Sequence, residues 1–240
     1  MSGKRFKGAL CVYCACRSSV TGDHVFAREF FTTESRGNLP KVPTCDHCNN
    51  EKSKLEHYLT AVLPFGGRHA EASANLAEKV PERLTKNLRL ARELNATSSD
   101  ASYLKQCFHR ETMTVPLDVE KTHALFEYVG RALAWHHWKI YLQPEHISRA
   151  LFLSTFGTAY FDRIFATNAA ARVHANLGRG TFTYVGVQAV DHRDLTLWRI
   201  RVYGGIAVIG DPETPEEMAT EIAVVTGPSR VVNLLTKNNQ

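Results

Sequence analysis

The pattern of hydrophobic and polar positions predicts short elements at the start of the chain. Residues 6–14 and 20–26 carry brief apolar runs on either side of a polar turn, which predicts two short strands. A loop rich in Thr, Ser, Gly and Pro follows over residues 32–44. From Asp46 apolar residues recur at spacings of three and four until Pro and Gly interrupt them at 64–67, which predicts a helix. The predicted order is strand, strand, loop, helix.

The middle of the chain has helical periodicity. Pro81 can open a helix, and a polar break follows over residues 95–100. Asp118 can cap a long helix that runs to Leu142, and residues 147–165 predict a further helix rich in aromatic residues. These elements predict a mainly helical body.

The end of the chain changes to a strand pattern. Residues 181–190 and 195–203 hold β-branched and aromatic residues in loose alternation, and 206–209 and 222–225 are short apolar runs bounded by Gly and Pro. The pattern predicts a small antiparallel sheet at the C-terminus. The expected fold class is therefore α+β, with a first unit over residues 1–66 and a second over 67–240.

Composition narrows the class of protein. The 240 residues are 44% hydrophobic and 22% charged, which excludes a disordered chain, a collagen and a disulfide scaffold. No window is long and apolar enough to cross a bilayer, and no apolar core follows the basic N-terminus, so we expect a cytoplasmic protein without a membrane partner. The net charge of +5 favours a polyanionic partner without establishing one.

The cysteines suggest a metal site. Cys11 and Cys14 form one Cys-x-x-Cys pair, and Cys45 and Cys48 form another. In a reducing compartment two such pairs favour tetrahedral zinc over disulfides. Cys16 is an alternative to Cys11 or Cys14 as a ligand. The remaining cysteine, at position 107, is predicted to be a small core residue.

The segment between and after these pairs resembles the HNH endonucleases, whose motif is a zinc-stapled ββα-metal unit. The resemblance covers roughly residues 8–63, with several independent elements in the order that the family has. In this sequence the elements are Cys11 and Cys14, Asp23-His24-Val25, Asn38-Leu39, Cys45-Asp46-His47-Cys48-Asn49 and Lys52. The position of Asn49 is often histidine in the family, so this chain has the asparagine variant.

The resemblance implies a role for each residue of the motif. His24 is expected to be the general base that takes a proton from water, a role that suits a neutral imidazole. Asp23 and Asn49 are expected to bind a catalytic Mg²⁺ or Mn²⁺, since oxygen donors suit such cations. Asn38 is expected to brace the loop and orient His24. Asn50 is an alternative to Asn49, because adjacent helical residues face different directions and only one can bind.

The function implied by the resemblance is metal-dependent hydrolysis of DNA phosphodiester bonds, by nicking or by double-strand cleavage in a homodimer. Lys52, Lys54 and Arg28 are the basic residues expected to contact nucleic acid. A role in restriction or anti-phage defence, with a partner protein, agrees with the resemblance. Two alternatives stay open: a non-catalytic zinc module that contacts nucleic acid or protein, and an RNA-cutting toxin.

Overall fold

The structure is a computed structural model that describes residues 5–97, 115–206, 208–209 and 218–237. The described part is a mixed α+β fold, as the sequence predicts. Position 107 and the end of the predicted polar break, residues 98–100, lie outside the described residues.

The N-terminal elements differ from the predicted ones. The first strand, β1 (Thr21–His24), lies within the predicted second strand and pairs in antiparallel fashion with β2 (Lys41–Thr44), which is in the predicted loop. Residues 6–14 form turns rather than a strand, because the backbone folds back on itself: the N–H of Cys11 donates to the carbonyl of Arg17 at 2.8 Å. The connection between β1 and β2 contains two short 3₁₀ turns, Arg28–Phe30 and Thr33–Ser35.

In the described segment between β2 and residue 97 the chain forms four helices. Helix α1 (Asp46–Gly66) confirms the predicted helix, with Cys45 as its N-cap residue. Helices α2 (Ala70–Glu78), α3 (Val80–Lys86) and α4 (Leu88–Thr97) come next. The helix predicted from Pro81 is divided at Asn87, whose side-chain oxygen accepts from the N–H of Leu90 at 3.1 Å. Asparagine favours such capping positions over helix interiors.

The long helix α5 (Val119–Trp138) begins where the sequence predicts. The Asp118 side chain accepts from the N–H of Lys121 at 2.9 Å, which satisfies one of the free donors of the first turn. The helix ends earlier than the predicted Leu142, because Lys139 adopts a left-handed conformation with φ of 58°. Gly130 lets α5 approach the sheet closely, since a Cβ at that position would lie 2.5 Å from the Val224 side chain.

The antiparallel sheet is larger than predicted. Its strands are β3 (His146–Phe152), β4 (Arg172–Leu177), β5 (Phe182–Gln188), β6 (Thr196–Val202) and β9 (Ile222–Pro228), in the order β3-β9-β6-β5-β4. A separate short pair joins β7 (Val208–Ile209) to β8 (Met218–Ala219). The helix predicted over 147–165 is wrong in its first half, which forms β3. Only α6 (Thr155–Thr167) is helical, after its N-cap Ser154.

Helices cover both faces of the five-stranded sheet. Val224 and Trp198 belong to one buried cluster with α5, whereas Val225 and Leu197 belong to another with α6 and the last helix, α7 (Ser229–Lys237). The first cluster also contains the cysteine pairs and the residues that follow β1. The N-terminal unit therefore packs on the same core as α5 and the sheet.

No helix among the described residues is long and apolar enough to cross a membrane.

Candidate metal centre and catalytic site

Four cysteine side chains lie close together in the N-terminal unit. The sulfur atoms of Cys11, Cys14, Cys45 and Cys48 all lie within 4.8 Å of one another, and the Cys14 and Cys45 sulfurs are 4.0 Å apart. Cys11, Cys45 and Cys48 are buried. Zinc–sulfur bonds of about 2.3 Å in a tetrahedron put the sulfurs about 3.8 Å apart, so the cluster fits one zinc ion. Cys16 is exposed and is not a member of the cluster.

Burial and hydrogen bonding shift the pKa values of the cysteine thiols in the cluster. Burial raises the pKa of the Cys11 and Cys48 thiols, so each is a neutral thiol without a metal. Burial acts in the same direction on Cys14, but hydrogen bonds from Cys16 and Arg17 outweigh it and lower the pKa of Cys14 to about 6. A zinc ion would supply the charge that stabilises buried thiolates together.

The cluster joins the β-strands to the start of helix α1. Cys11 and Cys14 lie in the turns before β1, and the N–H of Val12 donates to the carbonyl of Pro43 in β2 at 3.0 Å. Strand β2 then leads directly into Cys45, the N-cap residue of α1. A metal bound here would therefore fix β1 and β2 against the first turn of the helix.

Asp23 lies on β1 in a mostly buried polar site. Its Oδ2 atom accepts from the Tyr13 hydroxyl at 2.6 Å and is 2.9 Å from the Lys52 Nζ atom. Burial and the Asp23 carboxylate raise the pKa of Tyr13 well above its usual value, so the phenol keeps the proton that it donates. Oδ1 of Asp23 accepts no hydrogen bond from the described residues. This oxygen fits the donor set that a divalent cation prefers.

Lys52 is a fully buried lysine on α1. Its Nζ atom donates to the carbonyl of His24 at 2.8 Å and forms ion pairs with Asp23 and Glu56. Burial lowers the pKa of Lys52, but the two carboxylates outweigh it and raise the value, so the side chain is charged. The prediction that Lys52 contacts nucleic acid is therefore not supported, because its charge is paired inside the protein and does not reach solvent.

His24 ends β1 and is half-buried. It lies opposite Lys41 in the strand register, and its carbonyl is held by Lys52. Burial lowers the pKa of His24 to about 4, and the positive charges of Lys41, Arg28 and Lys52 add to this effect, while Asp23 opposes it. The imidazole is therefore neutral at pH 7, as a proton acceptor must be.

Asn49 lies in the first turns of α1, directly after Cys48. Residues three apart share a helix face, so Asn49 and Lys52 lie on the same side, and Lys52 touches both Asp23 and His24. Asn49 is half-buried, whereas Asn50 is exposed. The helix geometry thus favours Asn49 over Asn50 as a neighbour of β1.

The other predicted site residues lie at the surface. Asn38 is exposed in the loop before β2 and has a φ of 54°, a left-handed conformation that asparagine tolerates. No hydrogen bond joins its side chain to His24 in the described part of the chain. Arg28 is exposed after β1. Lys54 is exposed and forms an ion pair with Glu51, with Nζ and Oε1 2.6 Å apart. Arg28 and Lys54 are therefore accessible to a polyanion.

Several residues that support this site were not identified from the sequence. Tyr13 occupies a variable position of the first cysteine pair, and Arg131 of α5 donates to its carbonyl at 2.9 Å. Glu56 completes the buried ion pairs of Lys52. The spacing of four between Lys52 and Glu56 on one helix is a signal that favours such a pair. The long-range contacts of Tyr13 leave no such signal.

A second group of side chains fixes the turn that follows His24. The carbonyl of Phe30 accepts from Asn75 Nδ2 at 3.1 Å and from the Tyr203 hydroxyl at 2.7 Å. The carbonyl of Glu29 accepts from Arg83 at 2.6 Å. These donors come from α2, α3 and the residue directly after β6, so the body of the protein holds the connection between β1 and β2 in place.

Comparison of the chain with protein-family models, with curated proteins and with solved structures gave no match.

Proposed function

We propose that this protein is a metal-dependent endonuclease that hydrolyses DNA phosphodiester bonds, with His24 as the general base. The observation that carries the proposal is the cysteine cluster, whose two halves come from the turns before β1 and from the start of α1. The cluster brings the strand of Asp23 and His24 beside the helix that carries Asn49. The resemblance of the sequence to HNH endonucleases supports the same assignment.

Asp23 and Asn49 are the residues that would hold the catalytic cation, Mg²⁺ or Mn²⁺. The Oδ1 atom of Asp23 and the amide oxygen of Asn49 would provide two oxygen donors, and the remaining positions would go to water and phosphate. The cation, when bound, would offset the negative charge that develops on the phosphate oxygens. Lys52 and Tyr13 would orient Asp23 through its other oxygen.

His24 would take a proton from a water molecule as the oxygen of that water forms a bond to phosphorus. The bond between phosphorus and the leaving oxygen would break, and the leaving oxygen would take a proton from solvent. The N-terminus of α1 lies next to Cys45 and adds a favourable partial positive charge for a phosphate group. Arg28 and Lys54 are accessible residues that could contact the DNA backbone.

A passive zinc module would not require this polar site. The structural ion needs only the four cysteines, yet β1 also carries a carboxylate held in two polar contacts and a half-buried neutral imidazole. A histidine with a lowered pKa beside a mostly buried carboxylate is more common at catalytic centres than at purely structural sites. This favours the enzyme over the binding module.

The direct test is a cleavage assay with a divalent-metal panel. Wild-type protein with Mg²⁺ or Mn²⁺ should nick supercoiled plasmid, and His24→Ala should lose this activity while its zinc content stays unchanged. His47→Ala is the matched control, because His47 is an exposed histidine next to the same cluster. Parallel reactions with linear DNA and RNA separate a DNA enzyme from an RNA-cutting one. Full activity in His24→Ala would contradict the proposed role of His24.

A further inference from the structure

Three aromatic side chains form a row at the junction of the N-terminus and α5. The rings of Phe6 and Trp135 have centroids 6.4 Å apart, and those of Trp135 and Tyr141 are 6.3 Å apart, with an angle of 66° in both pairs. All three side chains are only partly buried. We call Phe6, Trp135 and Tyr141 the aromatic row.

The aromatic row begins on the strand face that carries His24. The Phe6 ring lies directly over Gly22, where a Cβ would be only 2.3 Å from the ring, so the glycine is what allows the ring to lie there. Side chains two positions apart in a strand point to the same face, about 7 Å from each other. Gly22 and His24 are two apart in β1. The Phe6 end of the row therefore lies on the same strand face as the proposed general base, two residues from it.

Basic side chains accompany the row. The Arg5 guanidinium lies over the Phe6 ring at 5.7 Å, and the Lys139 Nζ atom lies over the Trp135 ring at 4.1 Å. Arg5, Lys7 and Lys139 are exposed, and no acidic residue of the described chain pairs with them. Their charges are therefore available to an anionic partner, unlike that of the buried Lys52.

We propose that the aromatic row and its basic residues bind a single-stranded stretch of nucleic acid and lead it to His24. Partly exposed rings in a row can stack on unpaired bases, and the interspersed cations can contact the phosphates between them. A blunt duplex keeps its bases paired and offers no ring face to the row. The proposal rests on the proposed function, because it assigns the substrate of that site as unpaired DNA or RNA.

The test measures binding separately from cleavage. His24→Ala protein without added Mg²⁺ or Mn²⁺ is titrated into labelled oligonucleotides of one mixed sequence: single-stranded DNA, single-stranded RNA and blunt duplex DNA. Fluorescence anisotropy should show at least tenfold tighter binding to a single strand than to the duplex. Comparing the affinities for single-stranded DNA and single-stranded RNA identifies which nucleic acid the surface prefers. Affinity should also fall steeply with salt.

Variants of the row locate the binding surface. Phe6→Leu keeps an apolar side chain over Gly22 but removes the ring, and the affinity for the single strand should fall about fivefold or more. Lys139→Gln, a surface change, should weaken single-strand binding and reduce its salt dependence. Phe156→Leu is the matched control, because Phe156 is 70% exposed on α6, outside the row, and its affinity should equal that of the parent protein.

Two results would overturn the proposal. One is equal affinity for the duplex and for both single strands. The other is unchanged single-strand affinity in both Phe6→Leu and Lys139→Gln, with zinc content and circular dichroism matching the parent protein. Either result leaves the cleavage assay of His24→Ala unaffected, so failure of the binding surface is distinguishable from failure of the nuclease assignment. If the wild-type protein binds the single strand but does not nick plasmid with Mg²⁺ or Mn²⁺, the result would count against the nuclease alone.

Discussion

Replacing Lys52 with methionine tests the buried polar network beneath the site. Methionine has a similar length and keeps the apolar packing, but it removes the only cation that contacts both Asp23 and Glu56 in the described structure. The side chains are mostly buried: that of Lys52 is 1% exposed, that of Asp23 is 13% exposed and that of Glu56 is 16% exposed. In Lys52→Met the two carboxylates would be left mostly buried without their partner.

The expected cost can be estimated from this burial. Breaking a buried ion pair by removing one partner costs about 3–5 kcal/mol of the free energy of unfolding. Lys54→Met is the matched control on the same helix, since the Lys54 and Glu51 side chains are 71% and 45% exposed. Exposed pairs of this kind contribute about 0–1 kcal/mol. In urea denaturation, Lys52→Met should therefore lose much more of the free energy of unfolding than Lys54→Met.

The pH dependence of Lys52→Met has a definite sign. Burial raises the pKa of Glu56, while Lys52 opposes this shift. Without Lys52 the carboxylate of Glu56 is destabilised further and takes up a proton at a higher pH. The protonated, neutral acid no longer needs a cation, so the cost of Lys52→Met should be larger at pH 8 than at pH 5. Glu56→Gln added to Lys52→Met should recover part of the lost stability.

Two outcomes would refute this reasoning. A cost below about 1 kcal/mol for Lys52→Met, equal to that of Lys54→Met, would mean that the ion pairs are solvated. A cost that grows as the pH falls would mean that the carboxylates are not the groups left unpaired.

Three further predictions concern other parts of the site. Cys45→Ser should lose zinc and lower the melting temperature, whereas Cys16→Ser should keep one zinc per chain. Elemental analysis and thermal denaturation measure both effects. Equal zinc content in the two variants would contradict the ligand set. Tyr203→Phe should cost about 1 kcal/mol in urea denaturation, because the buried carbonyl of Phe30 loses one of two donors; no loss would mean that this hydrogen bond is dispensable. The pKa of about 4 at His24 predicts that kcat/KM stays constant from pH 7 down to 5, since the neutral base persists there; a fall with a midpoint near 6.5 would exclude His24 as the shifted base.

Some local features are predicted well from the sequence. The cysteine spacing predicts the ligand cluster because each Cys-x-x-Cys pair lies within one turn of chain, and helix α1 follows from its apolar periodicity. The capping role of Asp118 is likewise local. Each Cys-x-x-Cys pair, the periodicity of α1 and the cap depend on residues within a few positions of one another, so one sequence contains enough information.

The sequence fails where distant partners decide the structure. Residues 147–152 form a strand because they pair with β9, about seventy to eighty positions later, and a short apolar run does not distinguish a strand from a helix. Lysine is rarely buried unless its charge is paired, so the sequence predicts Lys52 at the surface. Its ion pairs with Asp23 and Glu56 become visible only in the structure. The support of the Phe30 carbonyl by Tyr203 spans 173 positions and has no local signal.

X-ray absorption at the zinc edge tests the central claim most directly, because the whole site depends on one ion held by four sulfurs. The account predicts one zinc per chain in purified protein, with four sulfur neighbours at about 2.3 Å and no nitrogen or oxygen in the first shell. Protein without bound zinc, or a disulfide between Cys14 and Cys45 in place of the ion, would contradict it.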